Sequence, residues 1–161
     1  FYSMKKIFLI LLFITASSCS KNNAEDGSLI TSSNYILWNS NFQAFIKKDD
    51  TDAAIANNQD RLTNNVWITR DNDGGQIYNV VKESSANKNK SPTGTEWAIG
   101  TLNELNLLKF KSFRSTVDKP KEVVGKDLVM HLIDDDIYLN IKFTSWSVGK
   151  KGGFSYERSA P

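Results

Sequence analysis

Catalysis by acid, base or nucleophile requires such groups close together, and this chain holds few of the strongest ones. It has one His and one Cys. His131 lies on the parity of Val129 and Ile133 inside an apolar run, where a neighbour-bonded core histidine is the simplest reading and a general base the sharper one. Cys19 stands far from it in the sequence, directly after Ala16-Ser17-Ser18. A single Cys forms no intrachain disulfide, and a single His nearly excludes zinc sites of the His/Cys type.

The carboxylates come next. Asp134-Asp135-Asp136 could offer oxygen ligands to a hard cation, but three acids between two strands read first as a solvated turn. Asp71-Asn72-Asp73-Gly74-Gly75 starts like a calcium loop, yet its twelfth position is Lys82, where a bidentate Glu is required. It reads instead as a glycine-rich hairpin loop. Glu96, beside Trp97, and Asp127 are the acids a glycosidase-type reading would use. No catalytic residue, metal or cofactor is assigned from the sequence.

Aromatic residues are numerous. Trp38, Trp97, Tyr138 and Tyr156 are the expected ligand contacts, with Trp67, Trp146 and Tyr78 as further rings. Exposed on a sheet face, such rings stack sugars or form a protein contact; buried, they are core. A cleft joining His131 to an Asp or Glu would favour an enzyme.

These side chains must be positioned by strands. Leu128–Ile133 and Ile137–Phe143 are apolar runs flanking the acidic turn, the pattern of a β-hairpin. Ile137, Leu139, Ile141 and Phe143 alternate with polar residues, so one face is buried. Trp146 falls on the other parity, and a bulge near Thr144-Ser145 would return it to the core. Val66–Arg70 and Ile77–Val81 predict a second hairpin. Trp97–Thr101, Leu105–Phe113 (Leu108 and Phe110 inward) and Phe154–Arg158 predict further strands. Ile36–Trp38 reads as a strand or a short helix, because Trp38, Phe42, Phe45 and Ile46 have helical spacing while Asn39 and Asn41 are weak helix formers. Asp49–Asp52 reads as a turn opening a short helix, and residues 83–95 as a long polar loop. Six to nine short strands with Gly/Asn/Asp turns predict an all-β fold, a single antiparallel β-sandwich of jelly-roll-like type, over residues 34–161.

The N-terminal residues read differently. Phe1-Tyr2-Ser3 look like upstream translation. From Met4, Lys5-Lys6 and the apolar run Ile7–Ile14 match a signal peptide, too short to span a bilayer. Residues 1–18 are thus the expected leader, and 19–33 a flexible Ser/Asn/Lys/Asp/Gly-rich tether. Cleavage lowers the 20 basic residues by two, to match the 18 acidic ones. A formally neutral mature chain argues against nucleic acid as a partner.

Ala16-Ser17-Ser18-Cys19 resembles the lipobox of bacterial lipoproteins, with Ala16 where Leu is commonest. The resemblance implies that Cys19 is lipidated and becomes the first residue, with the membrane as partner and an outer-membrane or cell-surface location. Residues 60–158 resemble a module of bacterial secreted and surface proteins, ending in Phe-Thr-x-Trp, a glycine-rich turn and Phe-Ser-Tyr-x-Arg. Here these are Phe143–Trp146 and Gly152–Arg158. That resemblance implies an extracytoplasmic β-sandwich and carries over no catalytic residue. The expected function is a cell-envelope lipoprotein whose non-catalytic domain binds a glycan or an envelope protein. The alternatives are a small hydrolase of envelope or extracellular polysaccharide and a purely structural envelope protein.

Overall fold

The structure, a computed structural model, describes residues 34–161; the expected leader, Cys19 and the tether lie outside the described residues. Alternating apolar residues build the larger of two sheets. β1 (Ile36–Trp38) and β2 (Phe42–Lys47) come first. β3 (Asp60–Arg61), β4 (Trp67–Arg70) and β5 (Ile77–Asn79) make a separate antiparallel sheet of three. β6 (Thr95–Ile99), β7 (Asp127–Leu132), β8 (Ile137–Trp146) and β9 (Phe154–Ser159) form a meander, and β2 adds to its β9 edge. The ten-residue β8 pairs with β7 along one edge. Its other edge holds β9 near its end and β1, running parallel, at its start.

The inward parity of β8 carries the core. Ile137, Leu139 and Ile141 lie opposite Leu132, Met130 and Leu128 of β7, and Phe143 lies opposite Tyr156 of β9. Ile68 and Ile77 of the smaller sheet join the same cluster, with Phe113 and Val117 of the short helix α1 (Phe113–Val117). The result is an all-β, sandwich-like fold with both sheets contributing to one core. The expected irregularity is present: Phe143 pairs with Tyr156, but Ser145 pairs with Ser155, leaving Thr144 as the extra residue. The bulge rotates Trp146 toward Phe143, Phe113 and Phe154. Phe143 is fully buried, whereas Trp146 is half-buried at the rim.

Two local readings are corrected and an open one is decided. Leu105–Phe113 is not a strand. Leu102–Leu107 winds as a 3-10 turn opened by a capping box between Thr101 and Glu104, a single bridge joins Trp97 to Lys111, and α1 follows, with Ser112 as its cap. Leu107 consequently points to solvent, and Leu108 and Phe110 are half-buried instead of core. Of the two readings at Ile36–Trp38 the strand holds, and the helical spacing through Phe42–Lys47 does not make a helix: that segment is an edge strand laddered to β9 over its full length. Phe45 and Lys47 face inward, while Phe42 and Ile46 are exposed. After Asp49–Asp52 there is no α-helix, only a 3-10 turn at Ala56–Asn58.

Candidate functional site

His131 does meet carboxylates. It sits on the outer face of β7, opposite Glu96 of β6 and Tyr138 of β8. Its Nδ1 is 2.8 Å from Glu96 Oε1, and its Nε2 is 3.0 Å from Asp136 Oδ1. Asp136 reaches back from the hairpin turn with φ of 48°, a left-handed conformation that Asp tolerates. The ring lies flat on Tyr138, with centroids 3.9 Å apart and 3° between planes, and Phe110 meets both rings edge-on. Both ring nitrogens are therefore engaged, and among the described residues no hydroxyl bonds to either. The arrangement fastens the β7–β8 hairpin to β6. It places two carboxylates against one imidazole, with no nucleophile–base contact of the Ser–His or Cys–His type among the described residues. Burial, then the charges of Asp136 and Glu96, raise the Tyr138 phenol above its usual range.

The other acids diverge. Asp134 pairs with Lys82, Asp135 accepts from Thr63 and Asn65, and Asp127 pairs with Lys142 at 2.9 Å. Asp71 accepts from the Tyr78 hydroxyl, and Asp73 accepts from the backbone of Gly75. No cluster of three or more His, Cys, Asp or Glu side chains suited to a metal occurs among the described residues.

Most of the expected ligand contacts are not on the surface. Trp97 and Tyr156 are fully buried and Trp38 nearly so. Each lies on the inner parity of its strand, which alternation alone could have indicated had the pairing been known. Tyr138 is half-buried beneath His131 and Phe110. The C-terminal motif residues likewise serve the core. Phe154, Tyr156 and Arg158 point inward, and Gly152 has a positive φ of 73°. A Cβ on Gly152 would come within 2.7 Å of the Asp71 carbonyl oxygen, so that turn can pack against the β4–β5 loop only without a side chain.

Behind the motif lies a buried polar constellation. Asp60 Oδ2 accepts from Tyr156 Oη and from Arg158 Nε, each at 2.7 Å, and Asp60 Oδ1 accepts from Arg158 Nη2 at 3.0 Å. Burial, joined by the Asp60 charge and hydrogen bond, holds the Tyr156 phenol well above its ordinary range. For Arg158, burial works downward, but Asp60 outweighs it and the guanidinium is held above its usual value.

A different surface collects the groups that can meet a ligand. A groove of about 580 Å³ opens between the β4–β5 loop, α1 with the residues after it, and the end of β8. Arg70, Lys88, Arg114, Lys119 and Lys121 line it against a single acid, Asp73, and Trp146 presents its half-buried ring there. Arg70 is the buried member. Its guanidinium stacks 4.1 Å over the Trp146 ring. Nε donates to Gly75 O, and Nη1 donates to Ser147 O and Gly153 O. No carboxylate forms a salt bridge with Arg70 among the described residues, and burial lowers its pKa from the usual value. The sequence reading missed this groove, because its cations come from separate loops of a chain with balanced charge. Arg70 within a strand followed by a glycine-rich loop was the one visible signal.

Comparison of the chain with protein families, with curated proteins and with solved structures finds no match. What fold and geometry define is an all-β sandwich-like domain with a locally basic groove at one end of the core.

Proposed function

We propose that this is a lipid-anchored cell-envelope protein whose sandwich domain binds a glycan or protein partner without catalysing its turnover. The observation that supports binding is the groove at Trp146: it is concave, holds a part-exposed indole and is lined by side chains that mostly lack ion-pair partners among the described residues. The lipid anchor rests on the Met4–Cys19 pattern alone. Profiling of the purified full-length chain on a glycan array, beside pull-down from an envelope extract, tests the reading. Retention that is lost on Trp146→Ala, with folding retained, supports it. Absence of any retained glycan or protein counts against it and toward the purely structural role.

The hydrolase alternative has one observation in its favour, the placement of His131 between Glu96 and Asp136. It requires that the wild-type chain release sugars from polysaccharide and that His131→Gln abolish the release.

A further inference from the structure

The groove is basic in a chain that is nearly neutral overall, and its fixed charge is placed at a structural cost. Arg70 is only 2% exposed, and a buried guanidinium without a counter-ion is unfavourable unless its N–H groups are well bonded. Nε and Nη1 are so bonded, whereas Nη2 has no hydrogen-bond partner among the described residues. Trp146 covers the flat side of the guanidinium and fixes its orientation. Around this fixed cation stand Lys88, Arg114 and Lys121, none of them in a salt bridge among the described residues.

A second observation concerns Gln76, which also lines the groove and is 4% exposed. Its Nε2 donates to the carbonyls of Asn87 and Lys90, while its Oε1 is buried with no hydrogen-bond partner among the described residues. A buried acceptor left unpaired is costly, and a donor brought by a ligand would satisfy it. Unpaired cations call for an anion, and an orphan carbonyl oxygen calls for a hydroxyl or an N–H. A part-exposed indole fits the apolar face of a pyranose ring.

We propose that the groove binds an acidic polysaccharide through its carboxylate groups. The carboxylate is held by Arg70 and the surrounding Lys88, Arg114 and Lys121, and a sugar hydroxyl donates to Gln76. This inference rests on reading the groove as a binding site and narrows its ligand.

The test is calorimetric titration of the full-length chain in detergent with polygalacturonate and with its methyl-esterified form, which keeps the ring and removes the charge. Binding of the acid form only, weakened about tenfold or more by Lys88→Gln with Lys121→Gln, is expected from the loss of charge-assisted hydrogen bonds. Added salt should weaken it as well. Both lysines are exposed, so the double variant should fold. Lys142→Gln, on the outer face of β8, should leave binding unchanged; equal weakening there would mean diffuse polyanion attraction and overturn the proposal. Equal binding of both polymers, lost on Trp146→Ala, overturns the acidic preference but keeps the groove as a glycan site. Binding of neither polymer overturns the inference, while the wider reading then stands or falls on the array and pull-down.

Discussion

Asp60→Asn is the sharpest test of how this core is held together. The substitution preserves shape and removes one charge. Asp60 is 7% exposed, Arg158 8%, and Tyr156 not at all. All three donors that converge on the carboxylate require an acceptor. An amide offers only one oxygen, and its NH2 must face the Arg158 or the Tyr156 donor. The guanidinium is then buried without its counter-charge, keeping at most a hydrogen bond to the neutral amide oxygen and a weak contact, 3.4 Å, to the Ser159 carbonyl. Breaking one side of such a buried pair costs about 3–5 kcal/mol. Domains of this kind have a total stability of about 5–15 kcal/mol, so a third or more is at stake. Tyr156→Phe, which removes one hydrogen bond to a charged acceptor, should cost about 1.5–3 kcal/mol. The double replacement Asp60→Leu with Arg158→Met should be milder than Asp60→Asn alone, because it leaves no unpaired charge. Urea denaturation followed by tryptophan fluorescence gives each value. An Asp60→Asn midpoint equivalent to within about 1 kcal/mol of wild type, at unchanged slope, would refute the argument that the pair is buried and mutually dependent.

Other outcomes follow from the same packing. The Tyr156 and Tyr78 phenols are both held above their ordinary value by burial and by an aspartate neighbour. The folded state thus retains protons that the unfolded state loses near pH 10. Their contribution is complete below that pH and disappears as pH rises through the folded values; alkaline titration of tyrosinate absorbance should show late phenols, Tyr138 also among them, with the Tyr156 and Tyr78 components each abolished by its Tyr→Phe variant. Phe143→Ala should cost about 3–5 kcal/mol, and Trp146→Ala distinctly less, because Trp146 is half-buried; chemical denaturation showing the reverse order would overturn the account of the bulge. Cys19→Ala should release the protein from the detergent phase and stop leader processing by the lipoprotein peptidase. Unchanged partitioning would remove the anchor from the proposal.

The β7–β8 hairpin and the bulge of β8 against β9 were legible because parity is written directly in the residues: Ile137 through Phe143 fix the inner face, and Trp146 on the wrong parity demands one extra residue. Leu105–Phe113 was misread as a strand for a similar reason. Its alternating leucines mimic a strand, and the capping box Thr101-x-x-Glu104, which was present to be read, signals a helical start instead. The ligand-contact residues failed for another cause. Whether Trp97 or Tyr156 is inside depends on which strands pair, and that pairing is set by partners far away in sequence. The groove and the Asp60–Arg158 pair depend on the same long-range docking of the small sheet onto the large one. No local pattern encodes that.

The three residues of β1 shield a vulnerable position. They close the edge of β8 at Ile137–Leu139, where no other strand among the described residues reaches, and Ser159 locks them there by donating to the Trp38 carbonyl while accepting from the Asn140 amide. So short a strand can detach without melting the remaining sheet. Each detachment would uncover unpaired backbone on a long, apolar, otherwise protected strand, the geometry on which a second chain adds by edge pairing. Proteolysis or truncation past Trp38 would therefore do more than shorten the protein: it would convert a covered sheet edge into a template for self-association.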